Sequence, residues 1–173
     1  MGQTDQPLDA VSGTLALADL EKLRGAYKRE DMTKILVETL PKAYVLSMEY
    51  VDAIGDLLYS KLLPEESDPG LRSALSVEDR ERCLVAVLAS REAGLALAIH
   101  VYIALMEGVS PQEIAHILLL VGIYSGIDHL TGGLKTELQV LGALKKQINA
   151  GGPLDVNAIA GQGGLLSQVF TAA

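Results

Sequence analysis

The chain has 173 residues, 49% of them hydrophobic and 21% charged, with a net charge of −8. That length supports one domain with a real core, and the apolar fraction is too high for a disordered chain. The acidic balance, with no cluster of basic residues, excludes a phosphate grip on nucleic acid, and the single cysteine, Cys83, excludes an intramolecular disulfide or a cysteine-rich metal site.

Aromatics are scarce, with no Trp and one Phe, so the core must be built from Leu, Ile, Val and Ala. That composition favours helices, and no β-branched run alternates strictly enough to read as a strand. An all-α, single-domain protein is expected. The N-terminus lacks a charged-then-apolar leader, and the apolar runs at 93–106 and 114–124 fall short of the roughly 20 residues a membrane span needs. A cytoplasmic protein without a membrane partner is expected.

In chain order, residues 1–13 are polar and read as a disordered tail. From Thr14, residues Leu15, Leu17, Leu20, Leu23 and Tyr27 recur at helical spacing. A short helix is predicted over 31–39, stopped by Pro41, and a long one from there to Leu62. The proline- and acid-rich stretch 63–75 reads as a loop. Ser76 can cap a helix whose first turn carries Glu78, Asp79 and Glu81, and whose apolar side is expected to hold Cys83, Leu84, Val87 and Leu88. Glu92-Ala93-Gly94 is its weak point. A second helix is predicted over 95–106, closed by Gly108. Ser110-Pro111-Gln112-Glu113 is a capping box with proline at the first helical position, opening a third helix that stops at Gly126.

A last helix is expected over 128–148, weakened at Gly132-Gly133, with a buried stripe of Leu134, Leu138, Leu141 and Leu144. The helical domain thus spans 14–149. The glycine-rich tail 150–173 carries Leu165, Leu166, Val169 and Phe170, a set that fits either a docking segment or a frayed end.

The chemistry-bearing residues concentrate in the middle of this pattern. His100 is a lone histidine in an almost wholly apolar helix, and Glu81 lies in the helix before it. The intervening break is short, so the two helices should be antiparallel neighbours. With the turn near residue 93 the pair is offset by about five residues, roughly 7 Å along the axis, which long side chains can bridge across an interaxial distance of about 8–10 Å. Each residue also has a structural reading: His100 as a buried histidine bonded to a carbonyl, Glu81 as a first-turn acid, Arg80 as a solvated arginine. His116, Leu120 and Tyr124 share one helix face, and Asp128 and His129 follow at the Gly126 turn, as a candidate second polar wall of the pocket from the same chain or across an interface. No carboxylate–histidine group has metal-ligand spacing, and no glycine-rich phosphate loop follows a strand, so neither a metal nor a nucleotide cofactor is expected.

Arg80-Glu81, the apolar helix, His100, Ala104, Glu107-Gly108-Val109-Ser110, Glu113-Ile114 and Tyr124-Ser125-Gly126 together resemble the carboxymuconolactone decarboxylase family, part of the alkylhydroperoxidase D-like superfamily. The likeness covers 75–144. It implies an all-helical domain that associates as a homo-oligomer, a trimer or hexamer, and one of two chemistries. Peroxidase-type members carry a C-x-x-C pair that would fall on Ala93 and Ala96. Neither is cysteine here, so no thiolate forms and thiol peroxidase activity is not expected.

Decarboxylase-type members work without cysteines or cofactors, removing a carboxylate from a small carboxylated lactone and reprotonating the carbanion or enolate. The resemblance then implies His100 as proton donor, Glu81 in the place of the acidic relay residue, and Arg80 as a carboxylate anchor. Tyr124 and His129 are candidate substrate-binding residues. A binding or scaffold protein that keeps the fold without catalysis is the alternative.

Overall fold

A computed structural model describes residues 14–28, 75–155, 158–159 and 164–166. The tail expected over 1–13, the helices expected over 31–39 and 41–62, the loop over 63–75 (apart from Leu75), and Val169 and Phe170 lie outside the described residues. Within them the chain is all-helical and has no strand. Its helices are α1 (Leu17–Ala26), α2 (Val77–Ser90), α3 (Gly94–Met106), α4 (Pro111–Ser125) and α5 (Ile127–Asn149).

The breaks fall where local chemistry puts them. The Ser76 hydroxyl accepts from the Asp79 N–H at 3.1 Å, satisfying a first-turn donor of α2. Helix α2 stops at Ser90, and Glu92 turns the chain with a φ of 54°. Gly108 (φ 107°) and Gly126 (φ 115°) occupy the left-handed side of φ, which glycine enters without a Cβ clash. At the start of α4, Ser110 accepts from the Glu113 N–H while the Glu113 carboxylate accepts from the Ser110 N–H at 2.8 Å. The Ser110 N–H, then the Ser110 hydroxyl, which also stands 2.8 Å from the carboxylate as a donor, and then Arg82 hold the Glu113 carboxyl below the usual carboxylate range. Arg82 donates to Glu113 at 3.0 Å and so ties α2 to α4.

Helix α3 is the hub. Its side chains from Leu97 to Met106 are buried, apart from a half-buried His100. Helix α2 packs on α3 and α4, α5 packs on α4 and α3, and α1 lies on α3. Arg24 of α1 donates from Nε to the Leu105 carbonyl at 2.8 Å, which binds α1 to the C-terminal end of α3. Tyr27 meets Tyr102 edge to face, with ring centroids 6.2 Å apart.

Glycines set the spacing of the α4–α5 hairpin. A Cβ on Gly122 would sit 2.5 Å from the Leu130 Cβ, and one on Gly133 would sit 2.7 Å from Leu118 Cδ2. Gly132-Gly133 therefore does not interrupt α5; Gly133 is buried in the crossing and allows the two helices their close approach. Ile159 and Leu166 of the tail are buried in the chain's own core.

Three apolar stripes depart from expectation. On α2 the buried residues are Glu81, Val85 and Ala89, while Cys83 and Val87 are exposed and Leu84 and Leu88 are half-buried. The buried stripe begins with a carboxylate, so hydrophobicity alone misplaces it. Leu17 of α1 is exposed. On α5, Leu141 and Leu144 are buried as expected, but Leu138 is exposed and Glu137 takes the inward position one residue earlier. Leu119, Leu120, Ile123, Tyr124 and Ile127 form an exposed apolar face at the end of α4 and the start of α5.

Candidate functional site

The α2–α3 packing brings Glu81 and His100 into contact. His100 Nδ1 lies 2.8 Å from Glu81 Oε2. A carboxylate only accepts hydrogen bonds, so Nδ1 carries the hydrogen and donates it. Neutral His100 therefore presents a lone pair at Nε2, and doubly protonated His100 presents a donor there. The Glu81 side chain is 3% exposed and that of His100 is 17% exposed. The carboxylate is thus sealed in the core while the imidazole remains partly exposed.

Arg80 completes the cluster. Its Nε stands 3.4 Å from Glu81 Oε1, so each carboxylate oxygen of Glu81 faces one cation or potential cation. A buried carboxylate needs such partners, because desolvation of an unpaired charge costs several kcal/mol. Only the Nε of Arg80 is engaged among the described residues, which leaves the two terminal guanidinium nitrogens free to grip a carboxylate. The resulting chain of groups runs guanidinium, buried carboxylate, imidazole, solvent. Chemically it can hold an anionic oxygen and exchange one proton at Nε2.

The other candidate residues lie apart from this cluster. Tyr124 is 87% exposed at the end of α4, within the apolar face. His116 is exposed on the same helix, so the His116, Leu120 and Tyr124 face makes no second polar wall within one protomer. His129 lines a cleft of about 240 Å³ between the α2–α3 turn and α5, together with Glu92, Leu97, Lys135, Thr136 and Gln139. Arg80, Glu81 and His100 do not line it.

Sequence reasoning missed two features. One is this cleft, because Glu92 and Lys135 read as solvated side chains and are exposed in the structure too; only the turn laid against α5 makes them its lip. The other is Glu137, fully buried with neither carboxylate oxygen hydrogen-bonded. Burial alone pushes its carboxyl up to about 8. A signal for it existed, since Glu137 stands four residues from both Gly133 and Leu141, which are also buried.

Ala93 and Ala96 flank the start of α3, where a redox cysteine pair would have to stand, and Cys83 is exposed on α2. Among the described residues no group of three or more His, Cys, Asp or Glu side chains is placed to hold a metal ion, and no helix is long and apolar enough to cross a membrane.

Comparison with curated proteins and with solved structures gives no match. The family comparison does: residues 66–135 match the model of the carboxymuconolactone decarboxylase family. That span holds Arg80, Glu81 and His100 and all of α2, α3 and α4.

Proposed function

We propose that the protein is a cofactor-free lyase, or a related proton-transfer enzyme, acting on a small carboxylated or lactone-like metabolite. One observation carries this reading: a buried carboxylate holds Nδ1 of a histidine whose side chain keeps partial exposure to solvent. His100 Nε2 delivers or removes the proton at the reacting carbon. Glu81 fixes the ring orientation and the tautomer, and stabilises the imidazolium when it forms. Arg80 anchors the substrate carboxylate through its terminal nitrogens. In a decarboxylation the C–C bond to the carboxylate breaks, carbon dioxide leaves, and the electron pair stays as an enolate; doubly protonated His100 gives it the Nε2 proton and reverts to the Nδ1–H form. Disulfide-based peroxide reduction has no support, because the chain contains one cysteine.

The protein works in this reading as a homo-oligomer. The exposed face formed by Leu119, Leu120, Ile123, Tyr124 and Ile127 supports that, since such contiguous apolar surface is costly in water.

A non-catalytic binding role is the second reading. It is favoured by the position of the cleft, whose lining contains none of the three clustered residues. Carbon dioxide release from a panel of small carboxylated lactones separates the two. The enzyme reading expects turnover that His100→Gln abolishes and Glu81→Gln reduces less, with both variants folded. Equal turnover by wild type and His100→Gln would rule the proton-transfer role out.

A further inference from the structure

The cleft between the α2–α3 turn and α5 has walls of opposite charge. Glu92 supplies a carboxylate from the turn, and Lys135 supplies an ammonium from α5. His129 and Gln139 add an imidazole and a carboxamide to the α5 wall. Neither Glu92 nor Lys135 is in an ion pair among the described residues, so both charges remain available to a ligand. The rest of the lining is small or apolar: Ala89, Gly94, Leu97, Gly132 and Gly133, with Thr136 donating its hydroxyl back to the Gly132 carbonyl. At about 240 Å³ the space lies just below the roughly 300–1,000 Å³ of most small-molecule sites, so its occupant must be small.

Glu92 also sits where a glutamate is unfavourable. Its φ of 54° makes it the one non-glycine with positive φ among the described residues. Glycine or asparagine takes that conformation at lower cost, and residues held there cluster at ligand-binding sites. No described residue accepts or donates a hydrogen bond to its side chain in compensation. The Glu92 and Ala93 N–H groups close the end of α2 on the Ala89 and Leu88 carbonyls, which accounts for the left-handed turn; the choice of a glutamate there, on the lip of a cleft and facing a helix that carries an unpaired lysine, suits a ligand that uses the carboxylate.

We propose that this cleft binds a small zwitterion of the amino-acid type. The ligand's ammonium meets Glu92, its carboxylate meets Lys135 with His129 or Gln139 as second donor, and its short aliphatic body lies on Leu97 and Ala89. An anion alone would leave Glu92 unmatched and repelled, and a cation alone would do the same to Lys135. The inference does not depend on the proton-transfer reading, because the cleft and the His100–Glu81 pair share no residue.

Calorimetric titration of the full chain with glycine, β-alanine and γ-aminobutyrate, against acetate, propionate and methylamine, tests it. At least one zwitterion should bind saturably in the millimolar range or tighter, and the singly charged probes about tenfold more weakly, as expected for loss of one charge-assisted contact. Lys135→Met and Glu92→Gln should each weaken zwitterion binding about tenfold, and His100→Gln should leave it unchanged. Glu92→Gly, which removes the backbone cost, should lose binding while the melting temperature stays level or rises. Absence of zwitterion binding, equal binding of acetate, survival of binding in Lys135→Met and Glu92→Gln, or its loss in His100→Gln would each overturn the proposal.

Discussion

Glu137 makes stability depend on pH in a direction opposite to that of most carboxylates. Its carboxyl is fully buried without a hydrogen-bond partner, and burial raises it from the ordinary 4.5 to about 8. The folded protein therefore holds this proton more tightly than the unfolded chain does. The stability it contributes is fully present below about pH 4.5, declines as pH rises, and is lost by about pH 8 and above. At 1.36 kcal/mol per tenfold change in proton concentration, the decline between pH 5 and pH 9 is about 4 kcal/mol. Domains hold about 5–15 kcal/mol in all, so the effect is large.

Glu137→Gln keeps the shape and removes the titration. Urea unfolding of wild type and variant at pH 5, 7 and 9 isolates it, since every other titrating group cancels in the difference. The variant should gain about 4 kcal/mol on wild type between pH 5 and pH 9. Glu137→Met, which also removes the orphaned polar atoms, should be more stable still at pH 7. Curves that run parallel within about 1 kcal/mol across this range would refute the reasoning.

Gly122→Ala should lower stability by about 1–3 kcal/mol in denaturant unfolding, because its Cβ would fall 2.5 Å from the Leu130 Cβ and force α4 and α5 apart. Ile123→Asp, in the exposed apolar face, should shift the assembly to monomers by light scattering without unfolding it; a wild-type monomer at micromolar concentration would remove the basis for an oligomer there. Cys83→Ser should leave any native activity unchanged, and peroxide turnover with a dithiol reductant should be absent from both forms.

What could be read from sequence follows from which signals are local. Ser76, the Ser110–Glu113 box, Gly108 and Gly126 each fix a helix end through their own backbone, and every one of these helix boundaries falls within one residue of its expected place. The contact between Glu81 and His100 was also legible, because a short turn and the helical rise set their offset. The failures share a cause. Hydrophobicity assigns buried stripes to apolar residues, yet Glu81 and Glu137 hold inward positions on α2 and α5, so Val87 and Leu138, expected inward, are exposed. The sequence places His129 and Tyr124 near the Gly126 turn, at the junction of α4 and α5. Where they stand relative to the pair depends on how α5 crosses α3 and α4, a tertiary property set partly by Gly122 and Gly133 and invisible to helical periodicity.

The most direct measurement of the central claim is the 15N NMR spectrum of the His100 imidazole at neutral to mildly alkaline pH, in wild type and in Glu81→Gln. A buried Glu81 carboxylate 2.8 Å from Nδ1 predicts the Nδ1–H tautomer, with Nε2 bearing the lone pair. Glu81→Gln should move the Nδ1 resonance, because a carboxamide replaces the charged acceptor. An Nε2–H tautomer in wild type, or an imidazole spectrum indifferent to Glu81→Gln, would show that the two side chains do not act as a unit and would contradict the proton-transfer reading.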